Sequence, residues 1–260
     1  ETRLTKKEAI MTAATLIYFS PTGTTKKLLR SIAQGYTQQG YSEIDLTKES
    51  SDKTPKELVV IGVPVYAGRV PDPFLERFKN IDIKKKKCII VVVYGNRAYE
   101  DALLELQDLV EAKGANVLGA GAFIAEHSLS REQQPIAKNR PDKQDLDKAY
   151  QFGKAVALKT GLENIKVPGN RPYKEKNPKT EVIMKTDEAR CSLCNACIDI
   201  CPVGAITEPL HTDGKICLRC SACVRVCQNK ARSLQDSLST TIAQRLFETC
   251  QERKEPELFV

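Results

Sequence analysis

Eight of the ten cysteines fall between Cys191 and Cys227, in two runs of identical spacing. The first is Cys191-x2-Cys194-x2-Cys197-x3-Cys201-Pro202. The second is Cys217-x2-Cys220-x2-Cys223-x3-Cys227. A disulfide scaffold spreads its cysteines along the chain, whereas crowding at two- and three-residue gaps suits metal ligation and a reducing compartment, the cytoplasm. Two-residue gaps turn the backbone tightly, so three thiolates of one loop face three corners of a cubane. Paired CxxC spacings also build zinc sites. Two tetrahedral zincs would leave the third cysteine of each run, and the fourth three residues later, without a purpose. The runs therefore read as ligands for two [4Fe-4S] clusters.

The segment Glu181 to Arg232 resembles the bacterial two-cluster ferredoxins, with Val203-Gly204-Ala205-Ile206 after Cys201-Pro202 matching their turn and small strand. In that family the fourth cysteine of a run ligates the other cluster. The resemblance thus implies one cluster on Cys191, Cys194, Cys197 and Cys227, and a second on Cys217, Cys220, Cys223 and Cys201. Gln228 stands where the family has proline. It removes no ligand but loosens a backbone restraint.

The N-terminal two-thirds is built differently. Thr15–Phe19, Glu57–Ile61, Cys88–Val93 and Val117–Ile124 are continuous apolar runs, the pattern of parallel strands buried on both faces, and Ile44-Asp-Leu46 is a weaker edge strand. Helical spacing fills Thr24–Gln39, Asp72–Asn80, Tyr99–Lys113 and Gln144–Lys159, with Gly40, Gly114 and Gly161 as stops. Alternation of this kind implies an α/β fold with a doubly wound, five-stranded parallel sheet.

Such sheets bind ligands beyond the carboxyl ends of their strands. The first loop there, Ser20-Pro21-Thr22-Gly23-Thr24-Thr25, follows a strand and opens a helix, where amides and the helix dipole attract phosphate. It lacks both the GKS/T ending of a nucleotide-hydrolysing loop and the GxGxxG of dinucleotide binders. A capped turn without a ligand is the plain alternative. The pattern resembles the phosphate loop of flavodoxins, which cradles FMN. That resemblance implies FMN contacts from Ser20, Thr22, Gly23, Thr24 and Thr25. It also implies contacts from two ring-flanking loops, Pro64, Val65, Tyr66, Ala67 and Gly68 after the third strand, and Tyr94, Gly95, Asn96 and Tyr99 after the fourth. The chain has no tryptophan, so Tyr66 and Tyr99 are the substitutes for the aromatic often packed on the flavin.

Together these features resemble the flavodoxin–ferredoxin fusion proteins of anaerobes. They imply a flavodoxin-like FMN-binding domain at 13–160, a linker at 161–180, a small α+β two-cluster domain at 181–232 and a helical tail at 233–260. The linker holds Pro168, Pro172 and Pro178 and reads as a stiff spacer that limits the flavin-to-cluster distance without fixing it. The tail carries the stripe Ile242-x3-Leu246-Phe247-x2-Cys250, expected to pack on a domain. Met11 is a candidate start, with residues 1–10 a leader or an expression remnant.

Net charge is +7, and Lys84–Lys87 looks like a nucleic-acid patch, but it leads straight into an apolar strand and reads as a solvated strand start. No membrane span and no nucleic-acid partner are expected; the positive surface suits an acidic redox partner protein. Cys88 reads as a small buried hydrophobe, His127 as an ordinary polar contact or a flavin neighbour, and His211 as exposed. The function implied is electron transfer between FMN, two clusters and partner proteins, with no catalytic acid, base or nucleophile. A flavoenzyme fed by the clusters is the second reading, although no dinucleotide motif is present. A redox sensor is the third, without a DNA-binding motif to serve it.

Overall fold

The computed structural model describes residues 13–159, 165–176, 180–208 and 211–260. Gly161, Pro178 and the candidate leader lie outside the described residues.

Five strands form a parallel sheet: β1 (Ala14–Tyr18), β2 (Tyr41–Asp45), β3 (Leu58–Pro64), β4 (Lys87–Tyr94) and β5 (Asn116–Ile124). Their spatial order is β2-β1-β3-β4-β5, the doubly wound order in which the chain reverses beside β1. Helices α1 (Thr24–Tyr36), α2 (Asp72–Phe78), α3 (Ala102–Ala112) and α4 (Lys143–Leu158) cover both faces. Alternation along each strand divides the core. Leu16, Tyr18, Val60, Val91 and Phe123 meet Leu28, Leu29 and Ile32 of α1 and Phe152 of α4. Ile17, Ile61, Ile90 and Val92 meet Phe74 and Phe78 of α2 and Leu103, Leu106 and Val110 of α3. Successive side chains point to opposite faces of a strand, so continuous apolar runs are what a sheet covered twice requires.

Beyond the sheet, a small unit pairs β6 (Met184–Thr186) antiparallel with β7 (Arg232–Leu234) and carries α5 (Ala196–Asp199) and α6 (Ala222–Val226). The chain then forms α7 (Ser237–Thr249) and β8 (Glu257–Phe259). This last strand is not the helical tail expected from the sequence. It pairs antiparallel with β5, Ala120 opposite Phe259 and Ala122 opposite Glu257. The stripe on α7 packs as expected, with Leu246 and Cys250 against Ile136.

The expected spacer is also different. Its described part, 165–176, is fastened along α3 rather than spanning solvent. Gln107 Nε2 donates to the Ile165 carbonyl at 2.8 Å, and Asp101 accepts from the amides of Asn170 and Lys174 at 2.8 and 2.6 Å. Arg171 and Tyr173 both reach Asp108. Proline content signalled an extended backbone; it carried no information about the surface that receives it. Helix α3 likewise begins at Ala102 rather than Tyr99. Glu100 holds a left-handed φ of 46° that breaks the helix before Asp101.

Helices α1 and α4 touch backbone to backbone at two glycines. A Cβ on Gly35 would lie 1.9 Å from the Tyr150 carbonyl oxygen, and one on Gly153 would lie 2.0 Å from that of Ile32. Gly153→Val is expected to force these helices apart at a cost of about 3 kcal/mol. The measurement is the urea midpoint of the variant against wild type at unchanged slope.

Candidate functional site

The carboxyl ends of β1, β3, β4 and β5 surround one cavity. Ser20, Pro21, Thr22, Thr24 and Thr25 line it from the first loop, Pro64, Val65 and Tyr66 from the second, Val93, Tyr94 and Gly95 from the third, and Ala125, Glu126, His127 and Ser128 from the fourth. The first loop is held from below. Ser20 N donates to Thr47 Oγ1 at 2.9 Å, and Ser20 Oγ accepts from Lys26 N at 3.1 Å. Gly23 holds φ 78° and its amide donates to the Ser20 carbonyl. Among the described residues, the amides of Thr22, Thr24 and Thr25 have no protein acceptor. Three orphan donors at the positive end of a thirteen-residue helix, beside two threonine hydroxyls 3.2 Å apart, suit a phosphate group. The residues present fit FMN at its phosphate end.

Five expected contacts do not line this cavity. Gly23 serves the loop through its backbone. Ala67 and Gly68, with φ 52° and 82°, form the tip of a tight turn closed by paired hydrogen bonds between Tyr66 and Arg69. Asn96 is buried, its Nδ2 donating to the Cys250 and Glu252 carbonyls at 2.9 and 2.8 Å. Tyr99 tilts against Tyr94 and its hydroxyl donates to Glu257 Oε2 at 2.7 Å. The aromatic rings brought to the cavity are Tyr66 and Tyr94. The sequence reading left out the 125–128 loop, apart from raising His127 as a flavin neighbour. The strand-end rule applied to the fifth strand would have found all of it.

His127 fits against Gly95, where a Cβ would meet its ring at 2.1 Å. Its Nδ1 accepts from Leu129 N at 3.0 Å, so in the neutral ring the proton sits on Nε2. Burial, then the nearby Arg97 and Arg225 charges, lowers its pKa from 6.5 to about 4. Arg225, on α6, also donates to the His127 carbonyl at 3.2 Å.

The sixteenth residue of the cavity wall is Cys220, from the second cysteine run. Cys220 also belongs to a second, apolar pocket that gathers Cys201, Cys217 and Cys223 with Met184, Pro202 and Ile206. Burial raises the pKa of the Cys217, Cys220 and Cys223 thiols, that of Cys220 to about 12. Four cysteines line this one apolar pocket; a cationic metal core held there would deprotonate them. Tyr66 lies between the two cavities, its hydroxyl pKa raised by burial and by Cys220 and Cys217. Leu218 packs with it on the core of the sheet domain.

The two cysteine loops share one backbone. Leu193 and Asn195 hold φ 54° and 63°, and Arg219 and Ser221, at equivalent positions, hold 53° and 58°. After each run the sulfur of the last cysteine accepts an amide: Ala205 N to Cys201 and Ala231 N to Cys227, both at 3.2 Å. Their surroundings differ. Cys194 is exposed, Cys191, Cys197, Cys201, Cys217 and Cys227 are half-buried, and Cys220 and Cys223 are buried.

Two protein-family models match the chain. The flavodoxin domain model matches residues 15–120, and the 4Fe-4S binding domain model matches residues 184–207. No curated protein matches the chain. Similar solved structures include a flavodoxin from the domain Archaea (16% identity, 56% of this chain and 96% of that one, TM-score 0.40). Two-electron reduced Megasphaera elsdenii flavodoxin is another (16%, 55% and 97%, TM-score 0.37). A third is Fusobacterium nucleatum flavodoxin bound to flavin mononucleotide (16%, 56% and 95%, TM-score 0.40). The chain thus joins a flavodoxin domain to a 4Fe-4S binding domain. These domains support an electron-transfer role with FMN and iron–sulfur as cofactors. Among the described residues, no helix is long and apolar enough to cross a membrane.

The lowered pKa of His127 has a sign. The unfolded imidazole takes a proton near 6.5 and the folded one near 4, so its contribution to stability is present above 6.5 and is lost as pH falls toward 4. Replacing it by His127→Phe is expected to flatten the decline in urea midpoint between pH 7 and 5. An equally steep decline in both proteins would contradict the assignment.

Proposed function

We propose that this protein is an electron carrier whose two [4Fe-4S] clusters and FMN form a relay. The exposed cluster is held by Cys191, Cys194, Cys197 and Cys227, and the buried one by Cys217, Cys220, Cys223 and Cys201. The observation that carries the reading is that Cys220 stands in the wall of both the strand-end cavity and the four-cysteine pocket. One residue there borders both cofactor sites.

FMN supplies one- or two-electron storage and each cluster single-electron storage. The polypeptide supplies position and environment. The amides of Thr22, Thr24 and Thr25 hold the phosphate, while Tyr66 and Tyr94 flank the ring. The Nε2–H of His127 offers a neutral donor, and Leu218 and Tyr66 exclude water between the two sites. The exposed Cys194 loop, with Leu193 59% exposed beside it, is the face offered to a partner protein. The net charge of +7 favours an acidic partner, with association that weakens as salt is added. The domain division is 13–160, a 161–180 connection, 181–232 and a 233–260 tail.

Anaerobically prepared protein is expected to hold about eight irons per chain, two cubanes of four. Cys201→Ala is expected to remove the cluster of the second run while leaving the exposed one. It should also slow FMN reduction by a donor acting at that exposed cluster, followed by stopped-flow absorbance. Loss confined to the exposed cluster would refute the exchange of ligands between runs, and stoichiometric zinc would refute the clusters.

Riboflavin, lacking the phosphate, is expected to bind about ten- to a hundredfold more weakly than FMN, one or two charge-assisted hydrogen bonds of ~1.5 kcal/mol each. Titration of deflavinated protein by fluorescence quenching measures both. Equal affinities would leave the first loop a plain turn.

A further inference from the structure

Arg77, near the end of α2, is a half-buried cation with no carboxylate partner among the described residues. Its polar contacts are backbone carbonyls. Nη1 donates to the Leu46 and Thr47 oxygens at 3.1 and 2.5 Å, and Nη2 donates to the Pro202 oxygen at 2.7 Å. The guanidinium carbon lies 5.9 Å from the centre of the Phe19 ring. These contacts join the two cofactor sites. Thr47 is also the residue whose hydroxyl receives the Ser20 amide of the first loop, and Pro202 directly follows Cys201.

A guanidinium withdrawn from water is unfavourable unless an opposite charge balances it. Carbonyl dipoles satisfy its N–H groups but bring no net charge. A cubane of four irons and four sulfides on four thiolates is a net anion, and each electron it accepts makes it more negative. Arg77 therefore has its balancing charge on the Cys201 side. Arg219 and Arg232 act on the same sulfurs from the ferredoxin unit itself. Arg77 approaches the same unit from the flavodoxin domain, at the Pro202 carbonyl.

We propose that Arg77 is a positioning residue that raises the electron affinity of the buried cluster, so that this cluster's potential depends on the docking of the two domains. The inference rests on the two-cluster relay. An interface cation stabilises the reduced, more negative state of the cluster. A domain pair that separates loses that stabilisation, and the electron is then held less tightly.

The test is an anaerobic redox titration of the full chain, followed by paramagnetic resonance, for wild type, Arg77→Gln and Arg77→Lys. Glutamine keeps amide donors without charge; lysine keeps the charge without the fork. Arg77→Gln is expected to lower the electron affinity of the buried cluster about tenfold, 59 mV for a one-electron couple. Arg77→Lys should keep most of the wild-type value, and the exposed cluster should be unmoved in both. Arg77→Met, which keeps the stem over Phe19, replaces the glutamine variant if that one loses iron. An unchanged potential in a charge-free variant with full iron overturns the inference, as do equal shifts in the lysine and charge-free variants. If Cys201→Ala loses no iron, the relay itself has failed and this inference falls with it, the iron count separating the two failures.

Discussion

The strand-end cavity and the cysteine pocket adjoin because the small cysteine-rich unit is tied to the sheet domain at both ends. Before it, residues 165–176 are fastened along α3 through Asp101 and Asp108. After it, the chain returns to the β5 edge and adds β8. Asn96 is the centre of the second tie. Its side-chain amide donates to two tail carbonyls and its oxygen accepts the Lys254 amide. Arg140, itself paired with buried Asp145, adds a bond to the Lys254 carbonyl, and Arg253 pairs with Asp142. Individual net hydrogen bonds contribute only about 1 kcal/mol, but two covalent tethers make the encounter intramolecular. The same strand covers an edge that would otherwise invite pairing with another chain.

The docked surfaces differ from the solvent-facing ones in charge. At the interface, the imidazole of His127 is held neutral, the Cys217, Cys220 and Cys223 thiols are disfavoured as thiolates, and Arg77 meets carbonyls rather than a carboxylate. Each of these is unfavourable for an isolated pair of protein surfaces. Together they suit a site whose charge comes from a phosphate and a metal–sulfide core. The first cysteine run faces solvent instead, and the Ala196 amide and Ser192 hydroxyl lower the pKa of exposed Cys194. Burial, hydrogen bonds to sulfur and nearby charge are the levers that set cluster potentials. The two runs therefore present different values of each lever from nearly identical loops.

Periodicity and spacing carried much of this arrangement. Parallel strands buried on both faces must be apolar throughout, so β1, β3, β4 and β5 were legible as runs, while β2, at the sheet edge, was legible only as Ile44-Asp-Leu46. The strand-end rule pointed to Ser20–Thr25, and the flavodoxin resemblance to Pro64–Tyr66 and Tyr94–Gly95, and all three segments contribute to the wall of the strand-end cavity. Neither distinguished Tyr94 from Tyr99, because what removes Tyr99 is a hydroxyl bond to Glu257, 158 residues away. Asn96 is lost to the tail for the same reason. Strand β8 is three residues long, Glu-Leu-Phe, too short to have a period; it exists only because the β5 edge is there to receive it. The spacing marked Cys220 as a candidate ligand but gave no sign that it also lines the strand-end cavity, since that position depends on docking.

The internal repeat of the cysteine unit bears on how its two halves are used. A duplicated loop with the same left-handed positions at Leu193 and Asn195 and at Arg219 and Ser221 gives both halves the same way of presenting sulfur. Difference must then come from outside the loop. In the second half Leu218, between the first two cysteines, is drawn into the core of the sheet domain. In the first half the equivalent Ser192 is polar and the neighbouring Leu193 stays in solvent. One apolar side chain at the position after the first cysteine thus marks the loop that packs on the sheet domain. The loop from Cys191 to Cys197 keeps Ser192 and Leu193 in solvent instead, and on the proposed relay this gives electron flow one port to solution and one to the flavin.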